Sequence, residues 1–191
     1  MESHINSLFN SISYRVDNLL IDPGDEWDGF KNVSSVFLTH CHFDHIYGLN
    51  RIVELNPEIT IYTNLVGAEM LVNDKLNLSR YQESPFIFKY PGNIVIVKDG
   101  DIVKIKDEKE NLINVEIYET PGHNPSCLTF IINDNIFTGD AYIPGLKTVT
   151  NLPNCNKMDA LKSINKIQML AKGKTIHPGH FVDTSTLNYI D

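Results

Sequence analysis

The chain has 191 residues, of which 42% are hydrophobic, and this is enough for one domain, residues 1–191, with a substantial core. A formal net charge of −8 at pH 7 argues against a nucleic-acid partner, because surfaces that bind nucleic acids are normally basic. Three cysteines without regular spacing argue against a disulfide framework, and no apolar run suits a signal peptide or a membrane span, so we expect a cytoplasmic protein without a membrane partner.

The first half of the sequence predicts strands and short helices. Residues 11–21 suit a hairpin that turns at Asp17 and Asn18, and residues 35–38 suit a short apolar strand. After a histidine-rich loop, the pattern predicts a short helix over 46–55, a strand over 59–62 and a second helix over 64–72.

The second half of the sequence predicts further strands and one long helix. The strands cover 94–97, 102–105, 113–118, 128–132, 136–138 and 175–176, with the first two joined near Asp99 and Gly100 and a tight turn at 133–135. Residues 157–171 are amphipathic, because apolar side chains recur there at every third position. The order of elements predicts an α/β fold, a four-layer αββα sandwich with metals at one edge of its two sheets.

The segment Thr-His-Cys-His-Phe-Asp-His at 39–45 directly follows the strand at 35–38. His40 and His42 can point the same way from extended backbone, because side chains repeat every second residue. Asp44 and His45 follow in a turn, from which their side chains can reach a second metal position nearby. Imidazoles and a carboxylate are ligands of Zn²⁺, Fe²⁺ or Mn²⁺, whereas buried structural histidines would each need a hydrogen-bond partner. The segment therefore predicts a metal site at a strand end.

Three later strands end in the same kind of turn. The turns are Pro121-Gly122-His123, Gly139-Asp140 and His177-Pro178-Gly179-His180. Glycine permits the tight backbone that such ligand loops often require. The repetition of one design at several strand ends strengthens the prediction of a metal site.

The order H-x-H-x-D-H, P-G-H, T-G-D and P-G-H resembles the metallo-β-lactamase superfamily over nearly the whole chain, from Asp22 to His180. The resemblance implies two divalent metal ions. It places one ion on His40, His42 and His123 and the other on Asp44, His45 and His180, with Asp140 as the bridge. It also implies that Asp22 supports the histidine loop, and it leaves His177 in a supporting or neutral role.

The implied chemistry is hydrolysis by a water shared between the two ions. Coordination brings the pKa of that water to around 7, so that a bridging hydroxide can attack the substrate. Asp44 can orient the nucleophile or accept its proton. Tyr142 is a candidate donor to the developing oxyanion, a role that a tyrosine near this turn has in some related lactonases. We expect zinc, with iron or manganese as alternatives.

The expected substrate is a small ester, thioester or lactone. The segment after Asp140 resembles enzymes of the glyoxalase II type, although the C-terminal helical domain that binds the glutathione moiety in those enzymes is missing. One alternative is a persulfide dioxygenase-like oxidoreductase with a single iron. Another is a metal-binding scaffold without turnover. The sequence does not determine the oligomeric state.

Two segments are candidates for contacts with substrate. Residues 74–92 carry several aromatic side chains without a clean period, so they form either a flap over the metal edge or a subsidiary core. Residues 141–153 begin directly after Asp140, and loops on a rigid scaffold commonly carry substrate-selecting groups.

Overall fold

Two β-sheets form the centre of the fold, which a computed structural model describes over residues 1–107 and 109–182. The first sheet has the strand order β1 (Glu2–Ile5), β2 (Ile12–Val16), β3 (Leu19–Ile21), β4 (Ser35–Phe37), β5 (Thr60–Thr63) and β6 (Ile94–Ile96). Its first three strands pair antiparallel and the remaining neighbours pair parallel. The predicted hairpin at 11–21 is confirmed, since Tyr14 pairs with Ile21 across β2 and β3.

The second sheet has the strand order β11 (Thr175–Pro178), β10 (Asn135–Gly139), β9 (Leu128–Ile132), β8 (Leu112–Glu119) and β7 (Ile102–Lys106). Strands β10 and β11 are parallel, and the other neighbours are antiparallel. The predicted turn between β9 and β10 is confirmed. Asn133 adopts a left-handed φ of 53° there, which asparagine tolerates better than most residues.

Over the described ranges, three α-helices cover the outer faces of the sheets: α1 (Leu49–Leu55), α2 (Leu65–Leu71) and α3 (Lys157–Leu170). Ile52 of α1 and Met70 of α2 are buried with Val36 of the first sheet, and Ile167 of α3 is buried with Ile131 of the second. These layers confirm the predicted αββα sandwich. Within the described residues, no helix is long and apolar enough to cross a membrane.

The main core lies between the two sheets. Phe37 of β4 stacks on Tyr62 of β5, with ring centroids 4.6 Å apart, and meets Phe130 of β9 edge-on at 5.4 Å. Phe37 and Phe130 are fully buried. Burying an aromatic side chain of this size contributes about 1.5–3 kcal/mol, so these contacts fix the sheets face to face.

Two features of the sheets differ from the sequence prediction. Strand β1 was not predicted, because its sequence Glu-Ser-His-Ile is largely polar and exposed, and pairing with β2 defines it. The turn at Asp99 and Gly100 joins β6 to β7, but it carries the chain from the first sheet to the second, so these strands do not pair. Local turn signals do not specify the partner of a strand, which depends on packing.

The segment 74–92 closes a subsidiary core. Phe86 and Phe88 are buried in the cluster that includes α1 and α2, which fits the second of the two predicted alternatives. Tyr81, in contrast, is 93% exposed. Leu78 lines a cavity beside the histidine loop, so part of the segment also reaches the predicted site.

Backbone hydrogen bonds tie the two sheets together beside the histidine loop. The N–H of Ile12 donates to the carbonyl of Gly179 at 2.7 Å, and the N–H of Leu128 donates to the carbonyl of Thr39 at 2.7 Å. The turns that follow β4, β8, β10 and β11 therefore come together at one edge of the sandwich.

Candidate metal centre

All seven predicted metal ligands lie in these turns and face one another. Two groups of three have ligand atoms within 4.8 Å of one another: His40, His42 and His123, and separately Asp44, His45 and His180. A third such group contains Asp22, His40 and His45. These two groups match the two ligand sets that the resemblance to the superfamily implies.

Asp140 lies between the two groups. Its Oδ2 is 3.5 Å from Nε2 of His123 and 3.2 Å from Nε2 of His180. Its Oδ1 is 3.6 Å from Nε2 of His45. One carboxylate thus faces donors of both groups, which is the position that a bridging ligand requires.

Two of the buried polar atoms at this centre have no hydrogen-bond partner among the described residues. They are Nε2 of His40 and Oδ1 of Asp140. Leaving a buried polar atom unpaired costs about 1–3 kcal/mol, so such atoms need an explanation. Imidazole nitrogen and carboxylate oxygen are the atoms that Zn²⁺, Fe²⁺ and Mn²⁺ bind, and the residues present therefore fit divalent metal ions.

Asp22 holds the histidine loop in place. Its Oδ1 accepts the N–H of Thr39 at 2.7 Å, and its Oδ2 accepts the Thr39 hydroxyl at 2.5 Å. The same Oδ2 is 3.1 Å from Nδ1 of His45. This contact leaves Nε2 of His45 on the side of Asp44 and Asp140, so the supporting contact implied for Asp22 is present.

Two backbone carbonyls orient two further histidines. Nδ1 of His123 is 3.0 Å from the carbonyl oxygen of Val149, and Nδ1 of His180 is 2.8 Å from that of Phe9. Each contact places a proton on Nδ1 and leaves Nε2, which faces Asp140, able to bind a cation. The sequence analysis did not find these partners, because a backbone carbonyl has no residue signature.

Asn124 also belongs to the centre and was not predicted. Its Nδ2 lies 2.8 Å from Nε2 of His42, whose Nδ1 lies 3.1 Å from Nε2 of His123. Ser126 donates its backbone N–H at 2.8 Å and its hydroxyl at 2.6 Å to Oδ1 of Asn124. These bonds direct the amide NH₂ toward His42. The signal in the sequence that could have identified Asn124 is its position directly after His123.

The first group of histidines is neutral in the metal-free protein. Burial and the nearby His45 hold the pKa of His40 well below its ordinary value, and burial with the nearby His123 lowers the pKa of His42 to about 3. Burial also lowers the pKa of His123. Neutral imidazole is the form that binds a metal, so this group needs no deprotonation at pH 7.

The second group holds charge. Burial opposes protonation of His45, but Asp44 and Asp22 outweigh burial and raise the pKa of His45 to about 10. Burial likewise opposes protonation of His180, and its hydrogen bond to Asp140 overcomes this and raises the pKa. The pKa of Asp140 is well below its ordinary value, because contacts with His180 and His45 outweigh burial. A protonated His45 thus balances carboxylate charge in the metal-free centre.

Glycines permit two close backbone approaches here. A Cβ atom on Gly179 would lie 2.2 Å from Oδ1 of Asp140. Gly122 has a φ of +137°, and a Cβ atom there would lie 2.2 Å from the backbone nitrogen of Ala160 in α3. The glycines of both P-G-H turns are therefore required by packing, one against a predicted ligand and the other against a helix.

Two residues from the sequence analysis lie apart from the donor cluster. The ring of Tyr142 packs against the cluster beneath α3 that contains Ile167, so its role as a donor to an oxyanion stays a prediction. Nε2 of His177 lies 2.9 Å from Oδ1 of Asn135, and its ring stacks on Phe137. His177 therefore contributes to packing, in agreement with the neutral role.

A cavity of about 340 Å³ opens onto the donors. Its wall includes the apolar side chains of Phe9, Phe43, Leu78, Val149 and Leu152, and its polar part includes His42, Asp44, His123, Asp140 and His180. Val149 and Leu152 belong to the segment 141–153, which was predicted to reach substrate. A cavity of this size suits a small organic molecule.

The fold and the donor cluster define a class of protein, in which histidines and aspartates meet at one edge of an αββα sandwich. The family model described as the metallo-beta-lactamase superfamily matches residues 13–180. The chain belongs to this superfamily of metallo-hydrolases. The resemblance given by the sequence motifs is thereby confirmed.

Relatives and solved structures agree with this assignment. The chain is 25% identical over 184 residues to the hydroxyacylglutathione hydrolase of Buchnera aphidicola subsp. Schizaphis graminum, covering 90% of this chain and 60% of that enzyme's length. It is 27% identical over 191 residues to a probable metallo-hydrolase of Methanocaldococcus jannaschii, covering 90% and 88%. The crystal structure of TTHA1623 in a di-iron-bound form superposes with a TM-score of 0.78 at 21% identity, covering 95% and 93%, which supports the fold.

Proposed function

We propose that the protein is a dinuclear metal-dependent hydrolase of a small ester, thioester or lactone. The observation that carries this proposal is the position of Asp140, whose Oδ2 is 3.5 Å from Nε2 of His123 in one donor group and 3.2 Å from Nε2 of His180 in the other. A single ion would use one group and leave the ligand atoms of the other without a metal, although Asp140 faces both groups.

The proposed ligand sets follow the two donor groups. One ion takes His40, His42 and His123, the other takes Asp44, His45 and His180, and Asp140 takes part in both sets. Bound ions of this kind lower the pKa of a water to about 7 and polarise a substrate oxygen. We expect zinc, with iron as the main alternative, because nitrogen and oxygen donors accept both and TTHA1623 was crystallised in a di-iron-bound form.

Asp44 is the proposed proton acceptor. Its Oδ2 is 3.5 Å from Nε2 of His45 and 3.4 Å from Nε2 of His180, and the residue lines the cavity. Burial raises the pKa of Asp44, which favours a carboxylate that can take a proton from an attacking water and return it to the leaving group. Oδ1, the other oxygen of this carboxylate, is the atom proposed to carry the proton.

The substrate class is inferred from the cavity and from the relatives. The apolar wall formed by Phe9, Phe43 and Leu152 suits an uncharged acyl or aryl group and excludes water from the reacting atoms. One relative is named as a hydrolase of hydroxyacylglutathione, which is a thioester. This chain spans 60% of that enzyme's length, and the proposal is confined to the ester-like reacting group.

The direct test is metal content followed by activity. The protein is purified without added metal or chelator, its metals are counted by elemental analysis, and the metal-replete form is assayed on a panel of esters, thioesters and lactones. We expect about two ions per chain and turnover of at least one substrate class.

A matched pair of variants controls this test. Asp140→Asn should lower both metal content and turnover, whereas Asp134→Asn, the same change in the exposed turn between β9 and β10, should alter neither. About one iron per chain, no hydrolysis, and oxygen consumption with a persulfide would contradict the proposal and favour an oxidoreductase.

A further inference from the structure

A second cavity lies beside the cavity at the metal centre. Its volume is about 420 Å³, and its wall includes Lys75, Leu76, Leu78, Arg80, Tyr81 and Pro153. We call it the side cavity. Leu78 lines both cavities, and Leu152 of the metal-centre cavity is the chain neighbour of Pro153. The two cavities thus adjoin at Leu78 and at residues 152–153.

Leu78 is a fixed part of this wall. Its φ is +66°, a left-handed conformation that leucine rarely adopts. The buried side chain of Asn77 donates to the carbonyls of Met70 at 3.2 Å and Phe86 at 3.0 Å. The N–H of Phe86 donates to the hydroxyl oxygen of Ser79 at 2.8 Å. These bonds on both sides hold the strained residue, and such conformations cluster at ligand sites.

The charge of the side cavity is opposite to that of the chain. Its described wall contains Lys75 and Arg80 and no carboxylate, although the net charge of the chain is −8. Arg80 is paired with Asp74, because Nη2 of Arg80 lies 2.7 Å from Oδ1 of Asp74. Among the described residues no carboxylate forms an ion pair with Lys75, which is exposed. An unpaired ammonium group at a cavity wall favours an anionic ligand.

The rest of the side cavity suits an apolar segment of a ligand. Leu76 and Pro153 supply aliphatic surface, and the ring of Tyr81 is 93% exposed beside them. An exposed aromatic ring next to apolar side chains offers a face for stacking an alkyl or aryl group. The cavity therefore combines an apolar surface with one available positive charge.

We propose that the side cavity binds the non-reacting end of the substrate, an apolar segment that ends in a carboxylate or phosphate group beside Lys75. The inference rests on the proposed hydrolase function, since the reacting ester or thioester would lie at the metal centre and the remainder would pass Leu78. It narrows the substrate class to esters and thioesters that carry an anionic group away from the scissile bond.

The test uses substrates that share one reacting ester. Phenyl hydrogen glutarate and phenyl butyrate differ by a terminal carboxylate, and phenyl 4-phosphonobutanoate carries a phosphonate instead. Lys75→Glu reverses the charge at the side cavity. Lys172→Glu makes the same change at the exposed turn before β11, at the opposite end of that strand from His180.

We expect the wild type and Lys172→Glu to prefer an anionic ester over phenyl butyrate by about fivefold in kcat/KM, the size expected for an exposed ion pair. Lys75→Glu should abolish or reverse this preference. The anion with the larger preference, carboxylate or phosphonate, identifies the natural group. The same kcat/KM for charged and neutral esters, or an equal effect of both substitutions, would overturn the proposal.

A binding measurement separates this proposal from the hydrolase function. N-phenylglutaramic acid and butyranilide are amide counterparts of the first two esters, and calorimetry on metal-replete protein gives their affinities. If no ester is hydrolysed, the hydrolase function fails, yet a preference for the anionic anilide that Lys75→Glu removes still supports the side cavity. Equal affinity for both anilides in the wild type would refute it.

Discussion

The amide nitrogen of Asn124 lies 2.8 Å from Nε2 of His42. Because Ser126 donates twice to Oδ1 of Asn124, the amide presents its NH₂ group, and Nε2 of His42 must act as acceptor. The proton of the neutral His42 ring then lies on Nδ1, which faces Nε2 of His123 at 3.1 Å. Metal binding at Nδ1 would move that proton to Nε2, where an acceptor is needed.

Asn124→Asp should therefore increase metal affinity at the His40, His42 and His123 group. A carboxylate can accept from both Nε2 of His42 and Ser126, whereas the side chain of Asn124→Leu offers Nε2 no acceptor and should bind metal more weakly than Asn124→Asp. We expect the two variants to differ by about 10–100-fold, the usual effect of a residue that supports a metal ligand. Titration with metal-buffered solutions measures this, with the exposed Asn32→Asp as control. Equal affinities of the aspartate and leucine variants would exclude the role.

Asp22→Asn should weaken metal binding at His45 while the fold is largely retained. The asparagine NH₂ group would face Nδ1 of His45, turn that nitrogen into an acceptor and place the proton on Nε2, the atom near Asp44 and Asp140. We expect one ion to bind about 10–100-fold more weakly and the other to be nearly unchanged. Metal titration and thermal unfolding test this, with the exposed Asp28→Asn as the matched control. An equal loss of affinity for the two ions in Asp22→Asn would contradict this prediction.

Asp140→Asn should reduce kcat/KM by more than about 100-fold. A loss of about 100-fold is the upper end of the range for residues that support a metal ligand without binding the metal themselves. The amide removes the charge that faces His180 and His45 and offers one oxygen instead of two. Asparagine keeps the shape of the side chain, so the fold should be retained, but loss of the buried charge that faces His180 and His45 should lower the Tm of the metal-free protein. Steady-state kinetics and thermal unfolding test this, and full turnover in the variant would rule out the bridging position.

Metal loading should release protons from the second donor group. The pKa of His45 is raised to about 10 and that of His180 is also raised, so both rings hold a proton more strongly than a free imidazole, whereas a ligand must be neutral. The affinity of this group should rise as pH increases, by about tenfold per pH unit for each proton released. The pKa values of His40, His42 and His123 are lowered, so the first group should bind with little pH dependence near neutrality.

Calorimetric titration in two buffers with different ionisation enthalpies counts these protons. His180→Ala removes one of the two titrating rings and should lower the number released. If neither binding step released protons, the histidines of the two donor groups would not differ in protonation, and the prediction would be wrong.

The sequence predicts the candidate ligand positions from local patterns. His40, His42, Asp44 and His45 follow one apolar strand, and His123, Asp140 and His180 follow Gly-containing turns at three other strand ends. The amphipathic helix over 157–171 and the turn at 133–135 were likewise found from short-range signals, since periodicity and turn residues are properties of neighbouring positions.

Other parts of the centre depend on residues that are distant in the chain. Phe9 and Val149 act through backbone carbonyls, which any residue possesses, so no residue type marks them. Asn124 gains its role through His42, 82 positions away, and side-chain direction is not encoded locally. The crossing of the chain between the sheets after β6 was missed for the same reason.

The sequence by itself determined the superfamily, most of the strands and helices, and the candidate donor residues, because each of these is carried by contiguous motifs. The tertiary structure decided how closely the two donor groups approach Asp140, which histidines have lowered or raised pKa values, and where the side cavity lies beside the metal centre. These properties arise from burial and from distances of a few ångströms between separate turns, and they exist once the two sheets have packed together.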